Sequence, residues 1–210
     1  MLSSIIAYIV KFICFVYSYR THQKVKEKFS HLYSRWICCF IGHVGNCSTI
    51  GIGCELQGGG NENISIGSNT NIGRHVILGC WTKYNDNNYS PSITIGDECV
   101  IGEYNHISAV CGVCIGNGCL TGRYVTITDN GHGGLSHEEG KVRPIKRKLV
   151  TKGKVSIGDN VWIGDKAIIL PGVHIGNNVI VAANSAVTAD VPDNSIVAGA
   201  PARVVKTLDE

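Results

Sequence analysis

The sequence predicts an all-β solenoid of short parallel strands, and three observations carry that prediction. Aliphatic residues recur every six positions at Ile157, Ile163, Ile169, Ile175, Val181 and Val187. Glycine follows at Gly158, Gly164 and Gly176, and the turn-forming residues Asp159, Asn160, Asn177 and Asn178 come next. A strand repeats every two residues and a helix every 3.6, so a fixed period of six describes short strands joined by tight corners. The aliphatic side chain points inward, the glycine permits close backbone approach, and three such faces close a triangular prism. Coils stacked at about 4.8 Å pair each interior backbone group with the coil above or below, so stability accumulates coil by coil.

Residues 1–47 form an N-terminal helical arm ahead of this prism. Ile5, Ile6, Ile9, Val10, Phe12, Ile13, Phe15 and Val16 make its start apolar, interrupted by Lys11. The stretch is shorter than the roughly 20 residues of a membrane span, and it lacks the basic start and small-residue cleavage site of a secretory signal. Residues 18–36 add Arg20, Lys24, Lys26, Lys28 and Arg35 against Glu27 alone. Two readings fit: peripheral contact of residues 1–36 with a membrane surface, or a helix covering the open end of the prism.

The prism itself spans residues 48–206. Ile66, Ile72 and Leu78 keep the period, Ile95, Ile101 and Ile107 restart it, and Ile115 and Ile127 resume it after a two-residue slip. The period breaks at Trp81 to Ser92 and at Thr128 to Lys154, which makes residues 79–94 and 128–154 loop excursions. Protruding loops on a rigid scaffold are the places to look for chemistry.

Composition agrees with one solenoid domain. The chain has 210 residues, 26 of them glycine, and 7% aromatics, the balance of a protein with many corners. A net charge of +3 without aromatic and basic interleaving argues against a nucleic-acid partner. Three of the ten cysteines, Cys99, Cys111 and Cys119, lie four residues after Ile95, Ile107 and Ile115, the slot that Ala167 and Ser185 fill elsewhere, and so read as small corner residues. With no paired Cys-x-x-Cys motif, no metal is expected, and unpaired thiols point to a reducing compartment.

Three segments resemble a known family. Ile157-Gly-Asp-Asn-Val-Trp-Ile-Gly164, the corner Leu170-Pro-Gly-Val173, and Val197-Ala-Gly-Ala-Pro-Ala-Arg203 are similar to motifs of the left-handed β-helix, hexapeptide-repeat acyltransferases. Thr128-Asp-Asn-Gly-His-Gly-Gly134 resembles the polysaccharide O-acetyltransferases and the galactoside and maltose acetyltransferases within it. The resemblance implies a left-handed parallel β-helix with a C-terminal capping segment, a homotrimer, and acetyl-CoA (coenzyme A) as acyl donor. It also implies a cytoplasmic O-acetyltransferase of a saccharide hydroxyl in surface polysaccharide (O-antigen or capsule) synthesis, working there or at the inner membrane face.

The same resemblance assigns residues. His132 is the expected general base, since a sugar hydroxyl is protonated at neutral pH and an imidazole can take its proton and return it to the departing thiolate. The neighbouring glycines would bring backbone amides to the oxyanion. Asp129 either orients the imidazole or caps the turn. Asn105 and Glu103 match substrate contacts. Gly164, Asp165, Ala183 and Thr188 match coenzyme A contacts, and Arg203 and Lys206 match cations near its phosphates. Ala189 stands where many relatives carry a lysine, which shifts the phosphate contact toward Arg203 and Lys206.

The basic run Lys141, Arg143, Lys146, Arg147, Lys148, Lys152 and Lys154 is either a solvated loop or a contact for a nucleotide diphosphate, a lipid-linked saccharide acceptor or anionic lipid. N-acetylation of an amino sugar is the alternative within the family. A carbonic anhydrase-like metal site is suggested by His132 and His137 but lacks a third histidine ligand, and a scaffold role is disfavoured by the intact His132 and terminal motif.

Overall fold

The computed structural model describes residues 2–134 and 136–207. Two helices come first: α1, Leu2–Val16, and α2, Tyr19–Cys38, whose first turn is capped by the Ser18 side chain accepting from the Thr21 amide at 3.2 Å. Strands then stack into three parallel sheets. The first runs His43–Val44, Ile64–Ile66, Ile93–Ile95, Val113–Ile115, Val155–Ile157 and His174–Ile175. The second runs from Thr49–Ile50 to Ser195–Gly199, and the third from Glu55–Gln57 to Ala186–Val187. Strand pairing begins at His43, ahead of the boundary at 48: Val44, Ile50 and Leu56 stand six apart, and Val44 pairs in register with Ile66 across a longer connection that includes the short helical turn Asn61–Asn63.

Register puts like beside like. Ile66, Ile95, Ile115, Ile157 and Ile175 align down the first sheet, and Leu78, Ile107, Ile127, Ile169 and Val187 down the third, all buried. Each such burial contributes about 1.5–3 kcal/mol, which is why six-residue spacing survives in the chain. Gly164 shows the geometric side of the rule: a Cβ there would lie 2.5 Å from the Ala183 backbone nitrogen in the next coil. One anchor is polar. Thr121 replaces an aliphatic in the second sheet, and its hydroxyl accepts from the Gly102 amide at 2.9 Å and from the Asn105 side chain.

The corners carry their own ladders. Between the first and second sheets, the Oδ1 atoms of Asp97, Asn117, Asp159, Asn177 and Asp193 each accept the backbone N–H of Ser68, Asp97, Asn117, Asp159 and Asn177 in turn, at 2.6–2.9 Å. Between the second and third sheets, His75, Tyr104 and Tyr124 adopt φ of 57°, 60° and 58°. Left-handed backbone costs a bulky residue roughly 1–2 kcal/mol. Their rings stack at 4.9 and 5.0 Å, and such contacts return about 0.5–1.5 kcal/mol each.

Cysteines enter these corners too. Cys54, Cys99 and Cys119 point their thiols at the carbonyls of Gly73, Gly116 and Gly158, each at 3.1 Å. Cys111 does not share this slot. The turn around it carries the two extra residues of the slip, so its amide faces Asp129 instead. At the N-terminal end, α2 covers the prism: Ile37 is buried in the core and the Ser34 hydroxyl accepts from the Ile50 amide at 2.8 Å. This is the end cap that a solenoid edge requires. Ala202–Thr207 folds back antiparallel on Ser195–Gly199 at the other end of the second sheet.

Candidate active site

Both excursions leave the prism at one corner. They follow the third-sheet strands Ile77–Cys80 and Thr126–Thr128 and rejoin the first sheet at Ile93 and Val155. Stacked coils therefore hold the two loops side by side. In the first, Lys83–Tyr84 pairs antiparallel with Asn87–Asn88; in the second, Asn130–His132 pairs with Leu149–Thr151, His132 opposite Leu149.

Side chains of the first loop fasten the second. The Tyr84 hydroxyl and the Asn85 amide donate to the Ile145 carbonyl at 3.1 and 3.2 Å. The Tyr89 hydroxyl donates to the Leu149 carbonyl at 3.0 Å and accepts from its amide at 2.9 Å. These contacts hold His132 at the prism edge, solvent-exposed and edge-on to the Tyr84 ring at 5.3 Å. Among the described residues no side chain hydrogen-bonds the His132 ring, so it presents a nitrogen free to meet an acceptor. Tyr84 is a site residue that sequence reasoning passed over; its signal was an aromatic inside the first period break.

Asp129 is placed elsewhere than beside the imidazole. It is fully buried, and its carboxylate accepts from the amides of Val110, Cys111 and Gly112 at 2.9, 2.7 and 2.5 Å and from the Asn130 side chain at 3.0 Å. Of its two readings, the turn cap is the one realised. The oxyanion expectation also needs correction at two glycines: the Gly133 amide donates to the Lys148 carbonyl and the Gly134 amide to Glu139 Oε2. Gly133 has φ +78° with Arg147 folded against it, so its glycine serves the loop backbone.

Asn105 and Glu103 do not face His132. Asn105 is buried in the corner slot that Ala167 fills two coils on, and its Oδ1 accepts from the Val125 amide at 2.7 Å. An interior amide that satisfies its neighbours is a structural residue. Glu103 pairs with Arg74 at 2.7 Å and Arg123 at 3.4 Å, and the Arg74 guanidinium holds its carboxyl below the usual range. With Asp165, Glu27 and His31 it lines a cleft of about 820 Å³ between α2 and the prism corner.

The residues expected at coenzyme A fall in three places. Gly164, Asp165 and Ala183 occupy the corner between the second and third sheets, where Asp165 Oδ1 also accepts from the Arg123 amide at 2.8 Å. Thr188 lies exposed at the opposite edge of the third sheet, the edge from which His132 projects. Arg203 and Lys206 are exposed on the terminal strand, and Arg203 spends one N–H on the Ala202 carbonyl at 2.8 Å. No cluster of three metal-ligating side chains occurs among the described residues.

Residues 154–189 match the family described as bacterial transferase hexapeptide (six repeats). The chain is 33% identical over 165 residues to the Escherichia coli K12 protein WbbJ, named as a lipopolysaccharide biosynthesis O-acetyl transferase, covering 77% of this chain and 79% of that one. It is 32% identical over 151 residues to the galactoside O-acetyltransferase of the same organism, covering 70% of this chain and 58% of the relative. Among solved structures it is similar to AntD, an N-acyltransferase from Bacillus cereus, at a TM-score of 0.66 and 24% identity over 83% of this chain and 87% of that one. It is also similar to a Vibrio cholerae hexapeptide-repeat acetyltransferase solved with acetyl coenzyme A, at 0.55 and 24% over 92% and 91%. The parallel sheets and these likenesses identify the fold as a left-handed β-helix. Stacked six-residue coils, two loop excursions at one corner and identity across most of WbbJ make this chain a member of the hexapeptide-repeat transferase family, and an acyltransferase.

Proposed function

We propose that the protein is an acetyl-CoA-dependent O-acetyltransferase of a saccharide hydroxyl, with His132 as general base. The observation that carries this reading is the placement of an exposed imidazole, braced by Tyr84, at the prism edge shared with Thr188. The names that WbbJ and the galactoside O-acetyltransferase bear support a sugar acceptor and O-transfer. Arg203 and Lys206 fit the donor by chemistry: both are exposed cations, and Arg203 keeps further N–H groups for phosphate oxygens.

Acetyl-CoA supplies the acetyl thioester. His132 takes the acceptor hydroxyl proton as the new C–O bond forms at the thioester carbonyl, and delivers it to sulfur as the C–S bond breaks. Proton and charge balance without an enzyme-bound acyl group. The exposed apolar stripe Val100, Leu120 and Trp162 on the second sheet supports a trimer of packed prisms. A cytoplasmic location follows from the donor.

The test is thiol release from acetyl-CoA across a panel of sugars, sugar nucleotides and amino sugars. Turnover with a hydroxyl acceptor that falls about 10²-fold or more in His132→Ala supports the proposal. Equal turnover in the variant overturns the role of His132, and turnover with amines alone moves the assignment to N-acetylation.

A further inference from the structure

α1 carries apolar side chains around most of its circumference, interrupted by Ser4 and Lys11, and they are exposed. Ile5, Ile6, Tyr8, Ile9, Val10, Phe12, Ile13 and Phe15 are all exposed, Phe15 by 88%. A helix that is hydrophobic all round is found buried in a core or in lipid. At about 1.5 Å per residue its 15 residues reach about 22 Å, short of a bilayer core of roughly 30 Å. Among the described residues no single helix is long and apolar enough to cross a membrane.

α2 continues the pattern in another form. Its Ser34 and Ile37 pack on the prism, while Val25, Phe29, Leu32, Trp36 and Phe40 stay exposed at spacings of four, three, four and four. Those spacings put Val25, Phe29, Leu32 and Trp36 on a single stripe of the helix, while Trp36, and Phe40 just past the helix end, also line a small pocket with Cys54, Leu56 and Asn61 of the prism. Lys24, Lys28 and Arg35 lie along one side of the stripe and Lys26 along the other, against the single acid Glu27. Tyr17 and Tyr19 sit at the bend of 60° between the two helices.

We infer that the arm is a monotopic anchor for an anionic lipid surface: α1 enters the acyl region, the tyrosines at the bend sit among the headgroups, and the α2 stripe lies along the interface. Charge selects the occupant. Cations flanking an apolar stripe are the form that anionic headgroups recognise, whereas they would face one another if a second copy of this chain covered the same stripe. The same helix thus caps the prism with one face and docks it with another. The inference does not depend on which acceptor is used.

Sedimentation of the full chain with vesicles tests it. The protein is expected to pellet with phosphatidylglycerol and phosphatidylcholine vesicles and to remain soluble with phosphatidylcholine alone. Lys24→Gln with Lys28→Gln should weaken binding by roughly fivefold per cation removed. Ile9→Asp with Phe12→Asp should abolish binding while thiol release on a soluble acceptor persists. Brominated lipid should quench Trp36, and Trp36→Phe should remove that quenching. Failure to pellet with anionic vesicles overturns the inference, as does self-association that the α1 variants dissolve while vesicle binding is absent.

Discussion

The ring of Tyr84 meets that of His132 edge to face, at 5.3 Å between centroids and 67° between planes, across two loops that share no backbone pairing. An edge-to-face aromatic pair is worth about 0.5–1.5 kcal/mol. Tyr84 is thus a positioning residue for the imidazole. Tyr84→Ala should lower kcat about fivefold with KM for acetyl-CoA unchanged, while Tyr84→Phe, which keeps the ring and loses only the bond to the Ile145 carbonyl, should stay closer to wild type. A loss in KM alone would remove the positioning role.

Asp129 holds three backbone amides in a buried turn, so its removal should show in stability. Asp129→Ala leaves the donors of Val110, Cys111 and Gly112 without their acceptor. A cost of about 2–5 kcal/mol is expected by urea unfolding, with Asp129→Asn in between because one acceptor oxygen remains. An unchanged midpoint in Asp129→Ala would contradict the cap.

Glu103 gives a pH signature with a definite sign. The Arg74 hydrogen bond, with Arg123 adding, lowers its folded pKa, so the ionised carboxylate stabilises the fold above the ordinary glutamate range and that contribution fades as pH falls through the lowered value. Screened by solvent, it amounts to under about 1 kcal/mol. Wild type should therefore melt slightly above Glu103→Gln at pH 6, and the difference should shrink as pH falls below the ordinary glutamate range and through the lowered value.

Cysteine reactivity should divide by burial. Cys14, Cys39, Cys47 and Cys114 are exposed, whereas burial pushes Cys54 and Cys80 up to about 11. A chromogenic thiol reagent at pH 8 should label the exposed set rapidly and leave Cys54 and Cys80 silent until the chain unfolds, as thiolate is the reacting form. Rapid labelling of Cys54 in the folded protein would mean that the α2 cap opens readily.

The sequence by itself determined the solenoid, because each coil repeats one local rule: an aliphatic inward, a small residue at the close contact, an Asn or Asp at the turn. Ile157 and Ile175 are adjacent in space for the same reason that they are three repeats apart in the chain. The two period breaks were legible on the same ground, and with them the segment carrying His132. Tertiary structure decided what the breaks do. Stacking set the excursions on one corner and brought Tyr84 to His132. It sent Asp129 into the Val110 turn and buried Asn105 against Thr121 and Val125. It also divided the faces of α2 between the prism and the outside. Loop contacts and helix docking depend on which coils lie side by side, and long-range packing of that kind leaves no period in the chain.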